Sequence, residues 1–270
     1  MSATTDQSAH VVAVEKIFTR VLVGVDGSAG SIDLARQAAM LKAPGGSLTY
    51  LGAWDLHSPI VTPGTVAVPF DADERAARCS VEDAVQAAKE QLPSAQTKIV
   101  HAVPADALLD EIANEDTSLV VVGARDRSRT TGVVLGSTPT RLLHDAPCSV
   151  LLIRQGCGLP PRRIVVGVDG SPQSGAAYTA ARYLAERFDG EVTVVIAEGG
   201  TAIDLGAVSL IAGDGFHVTP GEAVSVLSAA SRDADLLVLG SRGLHGLKAL
   251  GSVSERVAHR AECSTLIVRD

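Results

Sequence analysis

Residues 20–31 read RVLVGVDGSAGS, and residues 163–174 read RIVVGVDGSPQS. Eight of the twelve aligned positions are identical, and the phrase VGVDGS recurs unchanged at 23–28 and 166–171. An apolar, β-branched run that stops at Asp-Gly-Ser reads as a buried strand followed by a turn and a helix start. A second shared pattern closes each copy. It is GARD, GST and CSVLLIR at 123–126, 136–138 and 148–154, against GSRG, GSVS and CSTLIVR at 240–243, 251–254 and 263–269. The repeat is domain-sized, so the chain is a tandem duplication and not a solenoid of short units.

Working outward from the first copy, apolar periodicity predicts strands over 18–26, 47–54, 97–102, 118–123 and 148–154. Helical spacing fills the gaps at 31–43, 71–92, 105–113 (opened by Pro104) and 137–144, with a Pro-containing loop over 55–70. The second copy predicts strands over 163–169, 191–197, 215–218, 235–240 and 263–269, and helices over 173–188, 220–230 and 252–260. Strands that alternate with helices form a parallel sheet covered on both faces. The expected fold class is therefore α/β: two tandem open parallel-sheet domains. The expected divisions are a mobile tail (1–16), a first domain (17–154), the Gly/Pro linker QGCGLPPR (155–162) and a second domain (163–270).

The second copy is trimmed. Asp26 and Asp169 are 143 residues apart, but Gly136 and Gly251 only 115, a net loss of 28 residues. The loss falls between Ala197 and Gly215, where the first copy has its loop and long helix after the second strand. One short helix at most fits what remains. Apolar strand surface there needs another cover, for which the partner domain is the expected source.

Composition limits the function. A net charge of −8 without a dense Lys/Arg stripe argues against nucleic acid and anionic membrane as partners. No apolar run approaches a membrane span, and the first residues lack the basic-then-apolar layout of a signal peptide. Cys79, Cys148, Cys157 and Cys263 include no CxxC pair, which fits small buried hydrophobes in a reducing cytoplasm, with Cys157 of the linker the better candidate for an exposed thiol. No metal cluster is expected. GxxxxGK[ST] and strand-following GxGxxG motifs are both missing, and VDGS lacks the doubled glycine of an ATP-pyrophosphatase loop. His57, His101, His144, His217, His245 and His259 form no motif with Ser or Cys, so no enzyme activity is expected.

Ligands of open parallel sheets bind outside the carboxyl ends of the strands. Asp26, Gly123, Gly136 and Ser137 gather at that edge in the first copy, and Asp169, Gly240, Gly251 and Ser252 in the second. A helix N-terminus offers N–H groups and a positive dipole end to phosphate. Asp-Gly-Ser and Gly-Ser are also ordinary turns and caps, and that reading stands beside the functional one. Trp54 ends the second strand, where core packing is the favoured role over stacking on a base.

With GSRG, GSVS and APCSVLLIR, the chain from Phe18 to Asp270 resembles the universal stress protein family in its tandem form. The resemblance implies Rossmann-like domains of the adenine nucleotide alpha hydrolase type, whose last strands pair with each other. It also implies a G-x2-G-x9-G-[ST] loop that holds ATP phosphates, with Mg²⁺, and an Asp after the first strand near the nucleoside. Backbone groups at the end of the second strand would meet adenine. The first copy has Gly123, then Asp126 in place of the second glycine, then nine residues to Gly136. Arg125, Arg127 and Arg129 either offset that carboxylate or belong to a solvated loop. The second copy keeps Gly240 and Gly243 but has only seven residues, LHGLKAL, before Gly251.

Two functions stay open: an adenine-nucleotide-binding regulatory or stress-response module, and a nucleotide-free interaction scaffold, with a homodimer of the tandem chain open as well. The first copy is the better candidate site because its elements are complete. If Asp126 opposes phosphate there, Asp126→Gly should tighten ATP binding in isothermal titration by about tenfold, the worth of one modest charge contact.

Overall fold

The structure, a computed structural model, describes residues 15–28, 30–55, 70–124, 135–157, 160–199, 203, 205–213, 215–241 and 253–269. After a 3-10 turn at Lys16–Phe18, the first half runs β1 (Arg20–Val25), α1 (Ser31–Leu41), β2 (Ser47–Trp54), α2 (Phe70–Gln91) and β3 (Gln96–His101). It continues with α3 (Pro104–Glu115), β4 (Leu119–Gly123), α4 (Ser137–Asp145) and β5 (Ser149–Ile153). The second half has β6 (Arg163–Gly167), α5 (Pro172–Phe188), β7 (Glu191–Glu198), α6 (Leu205–Ala212) and β8 (Phe216–Pro220). It ends with α7 (Ala223–Ala230), a 3-10 turn at Ser231–Asp233, β9 (Leu236–Gly240), α8 (Val253–Arg260) and β10 (Ser264–Val268).

These strands form one ten-stranded sheet in the order β3-β2-β1-β4-β5-β10-β9-β6-β7-β8. Within each half the pairs are parallel; where the halves meet, β5 and β10 run antiparallel, with Leu151 opposite Leu266. β5 and β10 are buried at all five positions each, as apolar central strands require. One apolar cluster lies on each face of the sheet, and each runs through both halves. Fully buried alanines (Ala35 and Ala38 on α1; Ala177, Ala180 and Ala181 on α5) let those helices pack closely on the strands.

The junction is held by a crossed set of polar bonds between repeat-equivalent residues. Arg154 N–H donates to Ser264 Oγ at 3.1 Å, and Arg269 N–H donates to Ser149 Oγ at 3.1 Å. Arg154 Nη2 reaches the Ala258 carbonyl of α8 at 3.0 Å. Arg269 reciprocates, donating to the Leu143 and Ala146 carbonyls at the end of α4. A guanidinium at a helix C-terminus satisfies orphan carbonyls and the negative dipole end together. Burial holds the Arg269 pKa below the usual arginine range, opposed by Cys148 and Asp145. On the other face, Arg187 of α5 donates to the Met40, Leu41 and Lys42 carbonyls that end α1, and Phe18 stacks on Tyr183 at 5.5 Å.

Two expectations need correction. The helix expected over 220–230 starts only at Ala223, because Pro220 ends β8 and Gly221 turns the chain at φ 133°. The trimmed face is covered from within its own half: Val208 of α6 is fully buried, in the same cluster as Val194 and Ile196 of β7. That cover is thin, and Leu210 and Val218 remain exposed.

The crossed bonds make the junction measurable. Arg154→Ala should lower the free energy of unfolding in urea by about 2–3 kcal/mol, since a charge-assisted bond and a buried stem are lost together. Breaking the exposed Arg182–Glu186 pair should move it by less than about 0.5 kcal/mol.

Candidate functional site

The site begins with the turn after β1. Ser28 N–H donates to Asp26 Oδ1 at 3.1 Å, and Ser31 Oγ donates to the same oxygen at 2.8 Å. Ser31 Oγ also bonds the Asp26 backbone carbonyl and accepts from Asp26 N–H at 3.2 Å. The second half repeats the turn. Asp169 Oδ1 accepts from Ser171 N–H at 3.0 Å and Ser171 Oγ at 2.6 Å, and Asp169 N–H donates to Ser174 Oγ at 3.3 Å. The repeated phrase is thus a self-braced turn in both halves. Any ligand role of Asp26 or Asp169 is additional to this one.

In the first half this turn borders a cavity of about 250 Å³ at the carboxyl ends of β1 and β4. Asp26, Gly123, Gly136 and Ser137, all expected from sequence, line it together. Its apolar wall includes Leu51 and Ala53 of β2, Leu108 of α3 and Val122 of β4. These look like ordinary core residues in sequence, and no pattern there separates them from the rest of the core. Thr138 follows the GST phrase, whereas Gln155 lines the cavity from the segment after β5 with no sequence signal. Asp33 also lines it, and its carboxylate is held by Arg36 and Gln37 at 2.5 Å each.

At the cavity mouth, α4 starts without a side-chain cap; Gly136 is extended (φ −67°, ψ 170°) and its carbonyl accepts from Thr140 Oγ1 at 2.9 Å. The cap residue therefore offers no side chain to compete with an anion for the first N–H groups of the helix. Tyr50 on β2 donates its hydroxyl to the Ala35 carbonyl at 3.3 Å. Burial pushes its pKa up to about 12, so this phenol is a structural donor and not an acid at neutral pH. Trp54 is half-buried and stacks on the His101 ring at 4.0 Å, with its indole face occupied by an edge-strand neighbour.

The second half differs at the matching place. A Cβ on Gly240 would lie 2.3 Å from the Gln173 carbonyl oxygen, whereas among the described residues a Cβ on Gly123 would meet only Leu34 Cδ1, at 3.5 Å. The cause is the point at which the helix begins. Ser31, the first residue of α1, corresponds to Ser174, but α5 starts two residues earlier, at Pro172. Ser171 caps it by accepting from Ser174 N–H at 3.2 Å, and proline is pre-shaped for a first helical position. The first turn of α5 therefore lies on Gly240, while Gly30 stands where Gln173 would be. Asp169 is exposed at the same edge. Gly243, Gly251 and Ser252 lie outside the described residues, as do Asp126, Arg125, Arg127 and Arg129.

The cysteine expectation is partly reversed. Cys148 and Cys263 are buried, but the exposed thiol is Cys79 on α2, and Cys157 is half-buried.

A family model described as the universal stress protein family matches residues 18–154 and 215–269. The chain belongs to the universal stress protein family. The unmatched stretch, 155–214, takes in β6, α5 and β7 as well as the trimmed region after them. A universal stress protein of Mycobacterium tuberculosis, Rv2005c, is 30% identical over 92% of this chain and 96% of its own length. Among solved structures, a universal stress protein from Archaeoglobus fulgidus superposes with a TM-score of 0.66 at 18% identity, covering 94% of this chain and 97% of that one. A second, from Pseudomonas aeruginosa, gives a TM-score of 0.68 at 17% identity, covering 95% of each chain. These two likenesses concern the fold.

The two glycines should respond differently to one methyl group. Gly240→Ala should destabilise the protein by about 1–3 kcal/mol, because backbone must move. Gly123→Ala should leave the urea midpoint within about 0.5 kcal/mol of the parent.

Proposed function

We propose that this universal stress protein binds one adenine nucleotide per chain, in the cavity of its first half, and acts as a regulatory stress-response module without turning the nucleotide over. The observation that carries the reading is the convergence of Asp26, Gly123, Gly136 and Ser137 on one cavity beside an uncapped helix start. A cavity of about 250 Å³ with an apolar wall suits a nucleobase and ribose, with the phosphates running out along the first turn of α4. Asp26 would face the nucleoside, and Mg²⁺ would accompany a triphosphate. The positive end of α4 is the main attraction for phosphate, since no Lys or Arg is among the described lining residues.

Retention without turnover is supported by the lining. The described cavity residues include serines and a threonine but no His, Cys or Lys, and Asp26 Oδ1, which meets the Ser31 hydroxyl, also accepts from Ser28 N–H within the turn. The second half would serve as the structural partner, its edge filled at Gly240 by the first turn of α5. We read the units as 17–154 and 163–270, joined by 155–162, acting in the cytoplasm. No helix among the described residues is long and apolar enough to cross a membrane.

The test is direct. Denaturing the purified protein should release adenine nucleotide detectable by chromatography. Adding ATP and Mg²⁺ at a hundredfold excess over Kd should raise the melting temperature by about 5–10 °C. Gly136→Asp, which sets a carboxylate at the helix start, should abolish that shift, and titration should give one site per chain. No released nucleotide and no shift from ATP would favour the nucleotide-free scaffold instead.

A further inference from the structure

The segment after β5 sets two thiols side by side. Arg154–Cys157 form a turn, with Cys157 N–H donating to the Arg154 carbonyl at 3.4 Å and Gly156 at φ 82°, the left-handed value that favours glycine at that position. The β5–β10 ladder pairs Leu151 with Leu266 and Leu152 with Thr265. Two residues further on, the same register sets Cys263 opposite Arg154. The turn then folds Cys157 back onto the start of β10. Its Sγ–H donates to the Glu262 carbonyl at 3.5 Å, one peptide bond from Cys263. Both belong to one apolar cluster, Cys263 buried within it and Cys157 packed against its margin.

We infer that Cys157 and Cys263 form a redox-modifiable pair, joined by a disulfide when the protein meets a hydroperoxide. Cys157 is the half-exposed member and attacks first: its thiolate takes the distal peroxide oxygen as OH, the S–O bond forms as the O–O bond breaks, the other peroxide oxygen leaves as alkoxide (hydroxide from hydrogen peroxide) and takes up the thiol proton, and a sulfenic acid remains. The Cys263 sulfur then attacks the Cys157 sulfur; the S–S bond forms, the S–O bond breaks, and hydroxide leaves with the Cys263 proton as water. Two electrons pass from the two thiols to the peroxide. Burial, and then the neighbouring Cys157, pushes the Cys263 thiol up to about 12. Cys148, the repeat-equivalent of Cys263, is pushed up to about 11 by burial.

The closed loop would span the second half from the linker to β10 and tie it to the end of β5. Such a loop restricts the unfolded chain strongly.

The pair is tested on the full-length protein. After treatment with hydrogen peroxide, alkylation in denaturant and proteolysis, mass spectrometry should find one linked peptide pair containing Cys157 and Cys263. The melting temperature should rise by about 5 °C or more and fall back with dithiothreitol. Cys157→Ser should lose both effects, and Cys79→Ser should keep both. Cys263→Ala should leave Cys157 as a sulfenic acid that dimedone captures. If that variant does not fold, the Cys157→Ser comparison decides alone. Full alkylation of Cys263 in the oxidised protein, or cross-links only between chains through Cys79, would overturn the pair.

Discussion

The antiparallel pairing of β5 with β10 is the constraint on which the rest of the molecule depends. Each strand would otherwise be the exposed edge of a five-stranded sheet, with unpaired backbone groups and apolar side chains. Pairing them removes both edges and makes one sheet. Because CSVLLIR and CSTLIVR are repeats, the bonds between them come in reciprocal form: serine to arginine backbone in each direction, and arginine to the far helix in each direction. A buried guanidinium is tolerated because helix-terminal carbonyls need donors as much as it needs acceptors.

The same pairing turns the second half over relative to the first. The carboxyl end of β10 lies beside the amino end of β5, so the two ligand-type edges of the sheet are on opposite sides of the molecule. The two edges differ. In the first half, SAGS keeps glycine before the helix and the edge over Gly123 stays open. In the second, SPQS caps and starts the helix early and the edge over Gly240 is filled. A difference of two residues in a helix start separates a cavity from a packed contact.

Much of this was legible in the sequence. The strand and helix order followed from apolar periodicity, which is strong in β1, β4, β6 and β9 because parallel strands are buried on both faces. Asp26, Gly123, Gly136 and Ser137 were readable because the carboxyl ends of parallel strands are where chain reversals and helix starts coincide. Leu108 and Gln155 were not: one looks like core, the other belongs to a linker, and only packing brings them to the cavity. The start of α7 was missed because Pro220 suits a helix start as well as a strand end. By composition Cys79 reads like the buried cysteines, but it falls on the exposed face of a 22-residue amphipathic helix.

The sequence by itself determined the duplication, the fold and the family, because repeated strand and turn phrases survive as local patterns. It also located the deletion, by the change in spacing between matched glycines. Tertiary structure alone decided which half has an open edge, since a close approach between Gln173 and Gly240 joins residues from different segments. It also decided that arginines ending β5 and β10 cap each other's helices, and that Cys157 folds back onto the Glu262 carbonyl, next to Cys263 in the chain. These are contacts across a strand register, and no local pattern in the chain encodes a register between halves more than a hundred residues apart.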